Sequence, residues 1–159
     1  MVTQFRALVS AVAWVGVTYP WALASASILQ GCLPAPTWGD VVKLNNNVVQ
    51  LKRTYRPLQY NYLEPPLQLV NVADSSFANS GGKYSQGGYM ILLCSEKSPP
   101  IVGNFAALDF RSNKSKRVAT STMHAEALAK IAGLESAIFI QTFLSVSYTH
   151  LTLPTIYSV

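Results

Sequence analysis

The hydrophobic period changes at Leu67, and that change limits the fold of this 159-residue chain more than any other feature. Before it, apolar residues recur at helical spacing. Phe5, Leu8, Val9, Val12 and Val15 fall at i, i+3/i+4 and i+7, the pattern of one buried helix face. Pro20 breaks that helix, so residues 3 to about 31 read as two short helices parted by Thr18-Tyr19-Pro20. Pro34, Pro36 and Gly39 mark a loop, and Thr37 to Arg53 reads as a third helix with Asp40 near its start. Asn45-Asn46-Asn47 opposes this, because asparagine is a poor helix former. Residues 54 to 66, with Pro57, Pro65 and Pro66, form a connector.

From Leu67 the period is two. Leu67 to Asp74 alternates apolar and polar and ends at an acid, the signature of a strand. Gly87 to Cys94 is a nearly continuous apolar run, as in a central strand. Ile101 to Phe110 reads as a third strand. The joints Ser80-Gly81-Gly82 and Ser98-Pro99-Pro100 are short, which implies an antiparallel meander. Ser121-Thr122 then offers an N-cap to a helix through Leu144. The expected fold class is α/β (α+β), with N-terminal helices followed by three antiparallel strands and one long helix.

Composition excludes several classes. Half of the residues are hydrophobic and only 12% are charged, unlike a disordered tail. Two cysteines, Cys32 and Cys94, fit neither a disulfide framework nor a zinc site, and Cys94 is expected in the core. Twelve Lys and Arg against seven Asp and Glu give a charge of +5, which favours polyanionic partners. The apolar run Ala7 to Val17 lies behind Arg6 and before Ala22-Leu23-Ala24, like a signal peptide, and Leu29-Gln30-Gly31-Cys32 is similar to a lipoprotein box. It is shorter than the ~20 apolar residues a bilayer requires. Two packed helices are preferred; a secreted or lipid-anchored small protein is the rival reading.

Carboxylates are scarce, so well-placed ones carry information. Asp74 ends the first strand and Glu126 lies in the first turns of the following helix. If that helix packs across the sheet, the two can converge on a hard cation such as Mg2+. The bland alternatives are a turn aspartate and a glutamate complementing the helix dipole. Glu135 lies ~900° of helix beyond Glu126 and so faces roughly the opposite side. Asp109 is expected to be structural, and His124 to be a surface or capping residue.

The surrounding words occur in a fixed order: Val72-Ala73-Asp74-Ser75-Ser76-Phe77-Ala78, Ser85-Gln86-Gly87-Gly88-Tyr89, Phe110-Arg111-Ser112-Asn113-Lys114-Ser115-Lys116-Arg117-Val118, and Ser121-Thr122-Met123-His124-Ala125-Glu126. Together they resemble the ribonuclease H domain of copia-type retrotransposon Pol polyproteins. Phe5 to Trp14 is similar to the segment that follows the reverse transcriptase palm, so the resemblance covers roughly residues 4 to 144. It implies a helical connection segment over 1–60 and a partial ribonuclease H-like domain over 61–144. It implies that Asp74 and Glu126 are catalytic, metal-binding acids using Mg2+ to hydrolyse RNA in an RNA/DNA hybrid. Arg111, Lys114, Lys116 and Arg117 become a nucleic-acid-binding stretch, whose plain alternative is a solvated loop. Implied partners are RNA/DNA hybrid or other nucleic acid and the remainder of the polyprotein, without stable membrane association. Implied localisation is cytoplasmic or in a virus-like particle, not secreted.

The chain also departs from that pattern. A further parallel strand ending in an Asp-Asn-like pair, and then a last acid or His, should follow the helix, and neither is expected here. Tyr19-Pro20-Trp21 stands where Arg-Pro-Asp is usual. Val146 to Thr155 resembles a translated sequencing adapter of the transposase type, matching one reading frame residue for residue. Residues 145–159 are therefore expected to be a non-native tail, in which His150 is no ligand. With the later catalytic acids lacking, the chain is expected to be an inactive fragment derived from a ribonuclease H-type endonuclease. A non-catalytic nucleic-acid-binding relic is the alternative. A bare sheet edge, an exposed apolar helix face and hence poor solubility are expected to follow from the missing strand.

Overall fold

The computed structural model describes residues 2–80, 84–97, 103–147 and 155–158. The chain divides into two compact units, Met1–Leu58 with Ser112–Lys114, and Gln59–Arg111 with Ser115–Val159. The joint glycines Gly81 and Gly82, Ser98 to Pro100, the expected strand start at Ile101, and His150 lie outside the described residues.

The first unit holds three helices, α1 (Val2–Val15), α2 (Trp21–Gln30) and α3 (Trp38–Thr54). The helical spacing read from the sequence is the packed face: Phe5, Val9 and Val12 of α1 meet Ala22, Ala26 and Leu29 of α2 and Leu44 of α3. Pro20 sits at the N-cap of α2, where its missing N–H is not needed. Thr37 caps α3 in a reciprocal box. Its Oγ1 accepts from the Asp40 N–H at 3.3 Å, and its own N–H donates to Asp40 Oδ2 at 3.0 Å. The Thr37 N–H, and then its hydroxyl, which also donates to Asp40 Oδ2 at 2.7 Å, hold the Asp40 carboxyl below the ordinary carboxylate range. The cap and the apolar spacing of Val41, Leu44, Val48 and Leu51 carry α3 through its three asparagines.

The second unit is a sheet with one long helix. Strands β1 (Leu67–Ser80), β2 (Tyr84–Ser95) and β3 (Phe105–Lys114) form the expected three-strand antiparallel sheet, and α4 (Thr122–Ser147) follows. The order is β3-β2-β1-β4, where β4 (Thr155–Ser158) runs parallel to β1. Two expectations change here. First, β1 does not stop at Asp74. Ser75 and Ser76 pair on with Gly87 and Gln86, and the register shifts only before Ser80 pairs with Tyr84. Backbone pairing needs no apolar side chain, so alternation understated the strand. Second, the β1 edge is not bare over Gln68–Asn71, because these residues pair with Thr155–Ser158. Part of the stretch expected to be a tail thus forms the end of α4 and the strand β4.

The helix packs on one face of the sheet, around Leu69, Ile91 and Ala137, with Tyr89, Leu93 and Ile140 against them. Ser121 begins it as expected, its Oγ accepting from the His124 N–H at 3.1 Å.

Candidate functional site

Asp74 pairs across β1 and β2 with Gly88 and is exposed. Its Oδ1 accepts from the Ser75 N–H at 2.7 Å. Glu126, one turn into α4, is exposed as well. The pleat determines whether they can meet. Side chains two residues apart in a strand share a face. Leu69 packs on α4, and a Cβ built on Gly133 of α4 would lie 2.2 Å from Asn71 Oδ1. A Cβ on Gly87, the partner of Ser75, would lie 3.5 Å from that of Ala129. The odd-numbered residues of β1 therefore face α4, and Asp74 belongs to the opposite face. The structure does not bring Asp74 and Glu126 onto one side of the sheet. No group of three His, Cys, Asp or Glu able to hold a metal ion occurs among the described residues. Magnesium prefers near-octahedral oxygen coordination with one or two carboxylates converging on it. Asp74 and Glu126, as placed, do not fit that ion.

Two acids that the sequence gave no active role do share one cavity. Asp109 of β3 and Glu135 of α4 line a space of about 530 Å3 with Tyr89, Arg111, Ser136, Leu108 and Phe139. Asp109 Oδ2 accepts from the Tyr89 hydroxyl at 2.9 Å and from the Ser136 hydroxyl at 2.5 Å. Burial pushes the Tyr89 phenol above its ordinary range, and the Asp109 carboxylate adds to that against the opposing Ser136 bond. These bonds tie β2, β3 and α4 together through one carboxylate, the structural role expected of Asp109. An acid inside an otherwise apolar strand was the available signal, but its partners are 20 and 27 residues away.

Arg111, Lys114, Lys116 and Arg117 are all exposed, at the end of β3 and in the turn after it. That turn is shaped by Ser115, whose hydroxyl donates to the Arg117 carbonyl at 2.8 Å and whose N–H donates to the Ser85 carbonyl at 2.8 Å. Ion pairs elsewhere join Lys43 to Asp40 and Lys97 to Glu64. His124 is a capping residue, its Nδ1 facing the Thr120 N–H at 3.3 Å and hydroxyl at 3.1 Å. Cys94 is buried, as expected, and burial raises its thiol pKa. Among the described residues the arrangement offers exposed cations at the end of β3 and no group of three His, Cys, Asp or Glu placed together.

Comparisons with protein-family models, with curated proteins and with solved structures found no match.

Proposed function

We propose that this chain is a fragment of a copia-type retrotransposon Pol polyprotein, related to reverse transcriptase and ribonuclease H. Its ancestral activity is Mg2+-dependent hydrolysis of RNA in RNA/DNA hybrids, and the fragment itself is inactive. The observation that carries the reading is the ordered set of sequence words. Their elements support it: Asp74 lies on β1, Gly87 to Tyr89 on β2, Arg111 to Arg117 across the end of β3, and Glu126 early in α4. The parallel strand that the resemblance implies after the helix has a counterpart in β4, which ends at Ser158 opposite Asn71 and carries no acid.

The separation of Asp74 and Glu126 by the sheet supports the inactive half of the proposal. The exposed basic stretch favours a second reading, retained nucleic-acid binding without catalysis. Exposed cations bind phosphates by releasing condensed counterions, so affinity falls steeply with salt. Four such contacts give a log–log salt slope of about −3 to −4. The test is fluorescence anisotropy with a labelled RNA/DNA hybrid across a salt series, paired with a cleavage assay in Mg2+. The expected result is salt-dependent binding, weakened by Lys116→Glu with Arg117→Glu, and no cleavage. Cleavage that survives Asp74→Asn and Glu126→Gln would overturn the assignment of those acids, and absence of binding at low salt would overturn the second reading.

A further inference from the structure

Tyr19-Pro20-Trp21 stands in place of the usual Arg-Pro-Asp, and the structure brings its two aromatic residues together. The Tyr19 and Trp21 rings stack at 5.7 Å between centroids, with 26° between their planes. Tyr55, at the C-cap of α3, tilts against Tyr19 at 5.6 Å and 57°. Hydrogen bonds fix this row of rings. The Tyr19 hydroxyl donates to the Thr54 carbonyl and to Thr54 Oγ1, both at 3.3 Å. Thr54 Oγ1 in turn donates to the Gln50 carbonyl at 2.9 Å, and the Thr18 hydroxyl lies 3.4 Å from that of Tyr55. Rings held only for packing would be covered, because each has roughly 150–250 Å2 to bury. Yet Trp21 is 66% exposed and Tyr55 46% exposed. One face of the Trp21 indole lies on Tyr19, and the rest of it is open to water.

The charge beside the rings is of one sign. Lys52, Arg53 and Arg56 are exposed and lie within three residues of Tyr55. Lys52 and Tyr55, three residues apart, are neighbours on the helix surface. Residues 1–58 carry five Lys and Arg against a single acid, Asp40. Asp40 opens α3 thirteen residues before Arg53. That is ~20 Å along the helix, beyond the ~8 Å screening length of physiological salt. A flat apolar ring with one open face and cations at its side is complementary to a flat base joined to a phosphate. In a duplex each base is already stacked on its neighbours, so an unpaired strand is what offers free base faces.

We propose that Trp21, Tyr19 and Tyr55 form a stacking platform for single-stranded nucleic acid, with Lys52, Arg53 and Arg56 holding its phosphates. The platform is separate in sequence from the Arg111 to Arg117 stretch and reads a different feature, unpaired bases rather than the backbone of a hybrid. Two of its three rings stand where the chain departs from the copia-type pattern, so the resemblance does not imply it. Because hydrogen bonds already fix the row, little ordering entropy is lost when a base stacks on it.

The test is titration of the full chain with oligouridylate, read by the anisotropy of a labelled strand and by tryptophan fluorescence. Binding should quench Trp21. An abasic strand of equal length and charge should bind about 5- to 150-fold more weakly, the range for loss of one stacked base. Trp21→Ala should lose affinity to the same extent with an unchanged far-ultraviolet circular dichroism spectrum, whereas Trp21→Phe should keep binding and lose the quenching. Lys116→Glu with Arg117→Glu should weaken hybrid binding and leave the quenching in place, so the two sites fail separately. Equal affinity for the abasic strand, or strand binding without quenching, would overturn the proposal. So would equal quenching by heparin, a polyanion without bases, or by uridine triphosphate at the concentrations the strand requires.

Discussion

Alanine at Gly133 sets two effects against each other, and the packing of α4 on β1 decides the sign. In an exposed helix interior, glycine to alanine gains about 1 kcal/mol from helix propensity. Here the new Cβ would lie 2.2 Å from Asn71 Oδ1 and 2.9 Å from Nδ2. Asn71 is 0% exposed and its Nδ2 donates to the Lys130 carbonyl at 3.3 Å, so its amide has no solvent to move into. Relieving the clash shifts the helix or breaks that bond. Overpacking costs about 1–3 kcal/mol, and a buried amide left unpaired costs about 1–3 kcal/mol more. After the propensity gain, Gly133→Ala should destabilise the protein by about 1–5 kcal/mol. Urea denaturation followed by circular dichroism reads this directly, as a lower midpoint at constant slope. In an Asn71→Ala background the same substitution meets no amide and should be neutral or stabilising. Stabilisation by Gly133→Ala in the otherwise native chain would refute the placement of α4 on β1.

Other consequences follow from the caps and the Asp109 ties. Thr37→Ala removes half of the α3 capping box and should cost about 1 kcal/mol at neutral pH in thermal unfolding. Because Thr37 holds the Asp40 carboxyl below its ordinary value, the stability from this group is complete above that ordinary value. It is lost as pH falls through the lower folded value, so the gap between wild type and Thr37→Ala should narrow in acid, leaving the part due to the Thr37 Oγ1 bond to the Asp40 N–H. The opposite sign holds for Tyr89, whose phenol is raised from its ordinary value of 10.0 chiefly by burial. Its contribution is complete below pH 10.0 and is lost as pH rises through the higher folded value. Asp109→Asn removes the charge that adds to this shift, so the variant should lose less stability than wild type in alkaline titration. Asp109→Ala leaves the Tyr89 and Ser136 hydroxyls without their carboxylate and should lower stability by about 1 kcal/mol in urea.

Much of the fold was legible in the sequence because its periods are strong. The spacing of Phe5, Val9 and Val12 gave one helix face, Pro20 a helix boundary, and Ser121 the start of α4. The site was less legible because register was not. A one-residue slip moves a side chain to the other face of a sheet. Nothing in the alternation of Leu67 to Asp74 says which set faces the helix; Gly133 against Asn71 does. Asp109 could be read as structural, but its hydroxyl partners come from other elements. The polarity of α4 was hidden for a different reason. Both of its faces are apolar, and only packing shows that alanines and Gly133 take the inside while Ile131, Ile138 and Phe139 take the outside.

The proposed origin in a retrotransposon polyprotein is tested most directly by reading the encoding DNA across the locus, adapter-trimmed, with the frame continued past Leu144. The account predicts that Ser147 to Val159 are replaced by codons for a strand ending in an Asp-Asn-like pair, followed by a later acid. Genomic DNA that encodes Ser147 to Val159 and then stops would contradict it.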